Sequence, residues 1–279
     1  MGFGCNASGV VGCRIIDSPR ERLIAMITNS FVPCNGRFPM IITIISMYFI
    51  GSSMGIKGSL LSALLLTGVI VLGIIMTFLS SKILSKTVLK GVPSSFTLEL
   101  PPYRKPQILK VIIRSISDRV IFVLGRAVTS AIPAGIIIWV MANVCIGDVS
   151  VLNLFSEFLD PFAEFIGLDG VILMAFILGM PANEIVIPII IMAYTAGGKL
   201  VEFDDVNILK SLFDENGWNW ITAVSTVLFS LFHWPCMTTL MTIKKESGSM
   251  KWTLVSFILP TVTGIVVCGL FANTARLFM

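Results

Sequence analysis

Long apolar stretches alternate with short polar ones along the whole chain. Several of them reach the ~20 residues that a helix needs to cross the hydrocarbon core of a bilayer. They lie at residues 39–56, 58–80, 120–146, 170–196, 221–243 and 252–272. The pattern predicts an all-α, polytopic α-helical integral membrane protein with about six apolar segments. The polar gaps between them are too short to form a soluble domain.

Two pairs of short motifs interrupt this pattern. FVPC ends at Cys34 and HWPC at Cys236, while GFGCN ends at Asn6 and GMPAN at Asn183. Glycine or proline beside a polar residue breaks a helix at membrane depth, which is tolerated only where the break lines a protein-enclosed cavity. Paired breaks in the two halves of a chain point to a transporter's binding site. We therefore expect broken or re-entrant helices and an internal repeat of the inverted kind, with a chance echo as the alternative.

Charge divides the chain into a first membrane region at 1–80, a basic loop at 81–119 and a second membrane region at 120–279. The loop holds eight lysines and arginines against two acidic residues, so the positive-inside rule places it in the cytoplasm. Within it, residues 104–119 carry isoleucine and valine at helical spacing, which indicates an interfacial amphipathic helix. An ordinary cytoplasmic helix that leads into the next span is the alternative, and both can hold.

If every apolar segment crosses the membrane once, the charges of the loops become inconsistent with the positive-inside rule after the stretch 170–196. A single crossing there puts Lys244, Lys245 and Lys251 outside, against the positive-inside rule. A hairpin that dips in and returns removes the conflict. Divided near Pro181, each half would have ~10 residues and a length of ~15 Å, about half of a bilayer. The sequence therefore favours a re-entrant hairpin at 170–196.

Glu184 is a single charged residue in an apolar stretch. An intramembrane carboxylate costs at least ~2.5 kcal/mol at the bilayer centre unless it is satisfied. We expect Glu184 to face a cavity, a cation or a partner, the alternative being a structural hydrogen bond to a neighbouring helix. Asn183 beside it can supply an amide oxygen, as can Asn6 and Asn35, although asparagine is also a common local cap at broken helices.

Cysteines at the breaks indicate metal chemistry. Cys34 and Cys236 follow the two prolines, and Cys5 is placed similarly. Thiolate beside carboxylate, amide or imidazole suits a borderline divalent transition metal better than Na⁺, K⁺ or Mg²⁺. The alternative for each cysteine is inert packing, because free cysteine is commonly buried as a small hydrophobe. His233, the only histidine, is either a ligand or proton acceptor, or a satisfied core histidine.

Other functional classes find little support. None of the six cysteines forms a Cys-x-x-Cys pair, which argues against a redox or zinc-finger site. One histidine and the lack of a nucleophile–base motif argue against an enzyme. The net charge of +4 lies in loops, so it concerns membrane orientation and not nucleic acid.

Four motifs, taken together, resemble one known family and occur in the family's own order. They are GFGCNASGVVGCRIIDSPRERLIAMITNSFVPCNGRFP, ELPPYRKP, ILGMPANEIVIPIIIMAY and HWPCMTTLMTIKKESGSMKWT. They look like the membrane half of FeoB, the bacterial ferrous iron transporter, and their wording is most like the Firmicutes branch. The resemblance runs over nearly the whole chain and makes 1–80 and 120–279 two Gate-like regions.

This resemblance implies a function and a site. It implies Fe²⁺ transport across the bacterial cytoplasmic (inner) membrane by a multi-pass permease, with Fe²⁺ as substrate and no permanently bound cofactor. The family's motif cysteines fall on Cys5, Cys34 and Cys236, and its intramembrane acidic residue falls on Glu184. With the neighbouring amide and imidazole, the candidate metal ligands are Cys5, Cys34, Cys236, Glu184, Asn183 and His233.

The resemblance also implies partners. Full-length members of the family begin with a cytoplasmic GTP-binding domain, and the G-x-x-x-x-G-K-[ST] motif of such a domain does not occur here. GTP is then expected to act only through a missing or separate domain or subunit, and the chain itself is not expected to be an enzyme. The other implied partners are the lipid bilayer and a small FeoA-like protein; a homo-oligomer stays open, and no nucleic acid is expected. The alternatives are a Gate-type permease for Mn²⁺, Zn²⁺ or a nucleoside, and a fragment or assembly subunit that does not transport.

Overall fold

The computed structural model describes residues 2–50, 56–91, 107–115, 121–146, 149–195 and 206–278. Its α-helices are α1 (Asn6–Gly12), α2 (Pro19–Thr28), α3 (Phe38–Ile45), α4 (Ile56–Lys86), α5 (Ile108–Ser115), α6 (Phe122–Asn143), α7 (Val151–Phe165), α8 (Gly170–Leu178), α9 (Val186–Thr195), α10 (Val206–Glu215), α11 (Trp220–Phe232), α12 (Met237–Ser247) and α13 (Met250–Leu277). Strands β1 (Cys145–Ile146) and β2 (Val149–Ser150) form a short antiparallel pair. The all-α, polytopic membrane class predicted from the sequence is confirmed.

Among the described residues, three helical stretches are long and apolar enough to cross a membrane, judged by length and composition. They are Gly58–Lys86, Trp220–Ser247 and Met250–Leu277. α7 and α8, which meet at an angle of 108°, make a fourth if the bent pair is one span. The other apolar stretches of the sequence form α3 with a following turn of π-helix, α6, and the pair α8 and α9.

The basic region 81–119 is described only in part. Of the predicted amphipathic segment, α5 is described, and its Leu109, Ile112 and Ile113 side chains are exposed. Residues 92–106 and 116–120 lie outside the described residues. The division of the chain into two membrane regions and a cytoplasmic loop therefore stays a prediction.

The segment 170–196 forms a hairpin of two short helices. α8 and α9 have nine and ten residues and flank a break at 179–182. Asp169 caps the start of α8 by accepting from the Ile172 N–H at 2.6 Å, and it also accepts a hydrogen bond from the Tyr194 hydroxyl at the end of α9. The start of the first helix therefore lies beside the end of the second. The two helices therefore form a hairpin, and its entry into the membrane and return stay a prediction.

Three breaks between helices position the site. The first break, at 29–37, separates α2 from α3, and the second break, at 233–236, separates α11 from α12. The third break is the one at 179–182. The order of elements is the same around the first two: a helix, a break, a short helix and then a long helix, with α2, α3 and α4 in one case and α11, α12 and α13 in the other.

The first and second breaks also share their packing. The rings of Phe31 and Phe232 meet edge to face, with 6.1 Å between their centroids. A glycine of the following long helix approaches the carbonyl of each phenylalanine. A β-carbon on Gly73 of α4 would lie 2.8 Å from the Phe31 oxygen, and one on Gly264 of α13 would lie 3.2 Å from the Phe232 oxygen. The matched contacts support the expected internal repeat.

α1 packs along α12, and the two helices run in the same direction. Each begins at a cysteine, because Cys5 is the N-cap of α1 and Cys236 is the N-cap of α12. At the other ends, the guanidinium of Arg14, which follows α1, donates two hydrogen bonds to the carboxylate of Glu246 in the last turn of α12, at 2.7 and 2.6 Å. The pair of helices thus connects the thiols at one end with an ion pair at the other.

Candidate functional site

The first break holds the amino-terminal turn of the chain against Cys34. The Asn35 N–H donates to the Gly4 carbonyl at 3.1 Å, and the Asn29 amide donates to the Asn6 carbonyl at 2.8 Å. Cys34 itself is buried in this junction. Asn35 therefore ties the two segments through its backbone, whereas Asn6 does so through its backbone carbonyl and through its side-chain amide, which in its favoured orientation donates to the carbonyls of Gly2 and Val32.

The second break places His233 and Cys236 between two helices and joins them to the third break. Cys236 Sγ lies 3.2 Å from the hydroxyl oxygen of Thr239, one turn into α12. The N–H of Met237, the first residue of α12, donates to the carbonyl of Met180 at 2.9 Å. Because Met180 belongs to the third break, this bond fixes the start of α12 against the tip of the hairpin.

Five of the predicted ligands come together where the three breaks meet. Asn183 Nδ2 lies 3.9 Å from Cys34 Sγ, and Asn183 Oδ1 lies 3.4 Å from His233 Nε2. The hydrogen bond from Asn35 to Gly4 holds Cys34 near Cys5, and Cys5 and Cys236 each precede one of two helices that pack together. We call Cys5, Cys34, Asn183, His233 and Cys236 the break cluster.

The hydrogen bonds of His233 determine which ring nitrogen is free. Nδ1 lies 3.0 and 2.9 Å from the carbonyl oxygens of Phe229 and Ser230. A carbonyl oxygen only accepts, so Nδ1 carries the proton of the neutral ring and Nε2 presents a lone pair. Nε2 then faces Asn183 Oδ1, which is also an acceptor. A cation between the two atoms satisfies both; in its absence the amide satisfies Nε2 by turning over, so that its NH₂ group donates.

Glu184 lies at the edge of the break cluster. Its side chain is exposed, and a β-carbon on Gly36 would lie 2.9 Å from Glu184 Oε1. The carboxylate therefore rests against the first break, beside the exposed Asn35. This position suits a group that meets an arriving cation, and it differs from that of the five inner residues.

The break cluster is not a compact metal site. Among the described residues, no three His, Cys, Asp or Glu side chains are grouped so that they could hold a metal ion. The cluster instead combines thiols with one imidazole and one amide. A conducting pathway needs weak coordination at several positions, because a single tight site would trap the ion.

Arg37 is the residue of this region that the sequence reasoning missed. It is 1% exposed, and its guanidinium donates only to backbone carbonyls. Nη1 donates to Ser30 at 2.8 Å and to Leu231 at 3.0 Å. Nη2 donates to His233 and to Trp234, both at 3.2 Å. Arg37 thus joins the first break to the second.

A signal for Arg37 was present in the sequence. The argument that singled out Glu184, an isolated charge next to apolar residues in a membrane protein, applies equally to the arginine that precedes the apolar run of α3. Its partners could not be read in the same way, because backbone carbonyls occur at every position.

Two family models match separate parts of the chain. The model described as "Ferrous iron transport protein B C terminus" matches residues 66–118. The Gate model, described as "Nucleoside recognition", matches residues 124–250. The second match contains the second and third breaks, and with them Asn183, His233 and Cys236.

Curated relatives match over most or all of the chain. The Fe(2+) transporter FeoB of Staphylococcus aureus (strain MSSA476) is 28% identical over 290 residues, covering 100% of this chain and 40% of the relative. The FeoB of Campylobacter jejuni subsp. jejuni is 24% identical over 295 residues, covering 100% and 46%. That of Leptospira interrogans serovar Lai is 27% identical over 280 residues, covering 92% and 40%. The chain thus spans less than half the length of these relatives, and no solved structure matches it.

Proposed function

We propose that this chain belongs to the FeoB family, as the counterpart of its C-terminal membrane part, and that it forms the route by which Fe²⁺ crosses the bilayer. The observation that carries this proposal is the break cluster, in which Cys34, Asn183, His233 and Cys236 converge from three interrupted stretches of helix. Interrupted helices are where many transporters bind their substrates. Thiol, imidazole and amide donors suit a borderline divalent metal.

The proposed roles follow from position. Glu184, exposed at the edge, meets the hydrated ion. The thiols of Cys34 and Cys236, Nε2 of His233 and Oδ1 of Asn183 then replace part of its water shell. Cys5, at the start of α1, adds a third thiol at the end of the helix pair where Cys236 begins α12. The donors are spread over three breaks, so each holds the ion weakly and lets it pass.

The proposed setting comes from the family. We place the chain in the bacterial cytoplasmic membrane, with GTP binding supplied by a separate domain or subunit and with a small FeoA-like protein as a further partner. A GTP-binding partner can alter ion passage only by binding two conformations of this chain with different affinity. Co-purification of the tagged chain with both partners from its own cells tests this setting, and recovery of neither would overturn it.

The test of function is Fe²⁺ entry into liposomes that contain this chain, under anaerobic and reducing conditions. We expect entry that is lost when Cys34→Ser and Cys236→Ser are combined. Cys145→Ser is the matched control, because that thiol is exposed and lies outside the break cluster. Equal entry by the double variant would remove the thiols from the pathway. No entry by any folded and inserted version would show that the route is incomplete within this chain.

Nucleoside permeation is the second candidate, and the description of the Gate model favours testing it. A nucleoside is recognised by ring stacking and hydrogen bonds, so its passage would not depend on soft thiol donors. Uptake of labelled nucleosides into the same liposomes separates the two. Nucleoside uptake that is unchanged in the double cysteine variant would support nucleoside permeation. In a separate experiment, competition of Mn²⁺ or Zn²⁺ with Fe²⁺ entry measures the selectivity among metals.

A further inference from the structure

The guanidinium of Arg37 occupies a position that is surrounded by backbone carbonyl oxygens, as in a cation-binding site. Four carbonyl oxygens surround its guanidinium, from Ser30 after α2 and from Leu231, His233 and Trp234 at the end of α11, at 2.8–3.2 Å from its nitrogens. The C-terminal end of a helix carries a partial negative charge, and the carbonyls around Arg37 follow two such ends. In transporters with broken helices, carbonyls of this kind are ligands of Na⁺ and H⁺.

The charge of Arg37 is balanced by carbonyl dipoles. All four acceptors are neutral, and among the described residues no carboxylate forms an ion pair with Arg37. Its Nε also has no hydrogen-bond partner within the described part of the chain. A buried cation is costly unless hydrogen bonds satisfy it, so these four hydrogen bonds stabilise a positive charge that has no ion-pair partner among the described residues.

The position of this charge matters for the ions that the protein handles. Nη2 of Arg37 donates to the carbonyl of His233, a member of the break cluster, so the carbonyl set lies beside that cluster. Carbonyl oxygens suit hard cations such as Mg²⁺, whereas thiols and imidazole suit transition metals. Two neighbouring sets of donors with opposite preferences would compete for ions if both were open.

We propose that Arg37 is a built-in cation that determines ion selectivity: it fills the carbonyl set permanently and keeps hard cations out of it. The soft donors of the break cluster are then left to select the ion. This inference rests on the proposed function, and it assigns Arg37 a positioning and selective role without contact to the transported ion.

The inference is tested by replacing the guanidinium with a free cation. Arg37→Met keeps an unbranched apolar side chain but removes the donors and one positive charge, leaving the four carbonyls unpaired. A single Na⁺ or K⁺ restores both the charge and the partners. Arg37→Lys is the control, because it keeps a positive charge in the same place.

The measurement is thermal unfolding of the detergent-solubilised chain in choline, Na⁺ or K⁺ chloride at one ionic strength. We expect the unfolding temperature of the parent to be the same in all three salts, and that of Arg37→Lys to be equally independent of the salt. Arg37→Met should unfold earlier in choline and recover in Na⁺ or K⁺. At ~100 times the dissociation constant of the cation, the ratio of folded to unfolded protein should rise ~100-fold.

Several outcomes would overturn the inference. If Arg37→Met is equally unstable in every salt, or folds in none of them, then Arg37 is a structural tie and the carbonyls do not accept a free cation. A cation requirement in Arg37→Lys would also contradict it, since the charge would then not be the deciding property. In liposomes, Arg37→Met must admit more Na⁺ or K⁺ relative to Fe²⁺ than the parent does; unchanged discrimination would refute the selective role. The unfolding measurements do not depend on thiol-dependent Fe²⁺ entry, which tests the proposed function, so failure of the inference and failure of the proposed function are distinguishable.

Discussion

Gly73 of α4 packs against the backbone of the first break, and Gly73→Ala measures how closely the two are held. The new β-carbon would lie 2.8 Å from the carbonyl oxygen of Phe31 and 3.5 Å from Cδ of Pro33. Carbon atoms in favourable contact with their neighbours lie ~3.5–4.0 Å away. The oxygen belongs to the backbone and cannot rotate aside, so α4 or the break itself has to move.

Two effects of opposite sign set the expected change in the free energy of unfolding. Alanine in place of glycine favours a helix by ~1 kcal/mol, whereas forcing extra volume into a packed contact costs ~1–3 kcal/mol. Both act at Gly73. Only the favourable effect acts at Gly68, five residues earlier in the same helix, where no described atom lies within 4 Å of the added carbon. The two variants should therefore differ by ~1–3 kcal/mol, or by ~2–12 °C in melting temperature.

The assay is thermal unfolding of the purified variants in one detergent. Gly264→Ala in α13 provides an intermediate case, because its β-carbon would lie 3.2 Å from the Phe232 carbonyl. We expect melting temperatures to fall in the order Gly68→Ala, Gly264→Ala, Gly73→Ala. A Gly73→Ala protein that melts with or above Gly68→Ala would refute the close packing of α4 on the break.

Two further predictions concern stability. Tyr194→Phe removes the hydroxyl that donates to Asp169 and closes the hairpin. The free energy of unfolding should fall by ~1–3 kcal/mol, because a largely enclosed carboxylate loses a donor. Tyr48→Phe, which removes an exposed hydrogen bond, is the control and should lower it less. Chemical unfolding that ranks the two tyrosine variants equally would argue against a special role for the hairpin tie. Glu246→Gln breaks the ion pair with Arg14, in which the Arg14 side chain is 60% exposed and the Glu246 side chain is 11% exposed. Because the arginine is solvated, the free energy of unfolding should fall by only ~1 kcal/mol. That change should shrink further in molar salt, and a large, salt-independent loss would contradict a surface pair.

The arrangement of helices and breaks was predictable because it depends on local chemistry. A run of apolar residues long enough to cross a bilayer has few alternatives to a helix, and glycine and proline mark where that helix stops. The division of 170–196 into two short helices was predictable from Pro181, whereas its return to the same side of the membrane stays a prediction. These properties depend on residues that are close together in the chain, so they can be predicted from a single sequence.

The contacts across the site were not predictable in the same way. Asn183 and Cys34 are 149 positions apart, and their approach depends on how three breaks pack together. Arg37 binds backbone carbonyls, which leave no pattern in the sequence. The exposure of Glu184 was also hidden, since an apolar run does not reveal which side of a turn faces outward.

The parallel pair of α1 and α12 has a mechanical consequence. Each helix is an unbroken rod, ~10 Å long for the seven residues of α1 and ~16 Å for the eleven of α12. We expect a change in the separation of Cys5 and Cys236 at one end to alter the distance at the other end, between Glu246 of α12 and the 3₁₀ turn after α1 that holds Arg14. Spectroscopic labels placed at that remote end would report whether added Fe²⁺ changes the separation of the thiols, without modifying the thiols themselves.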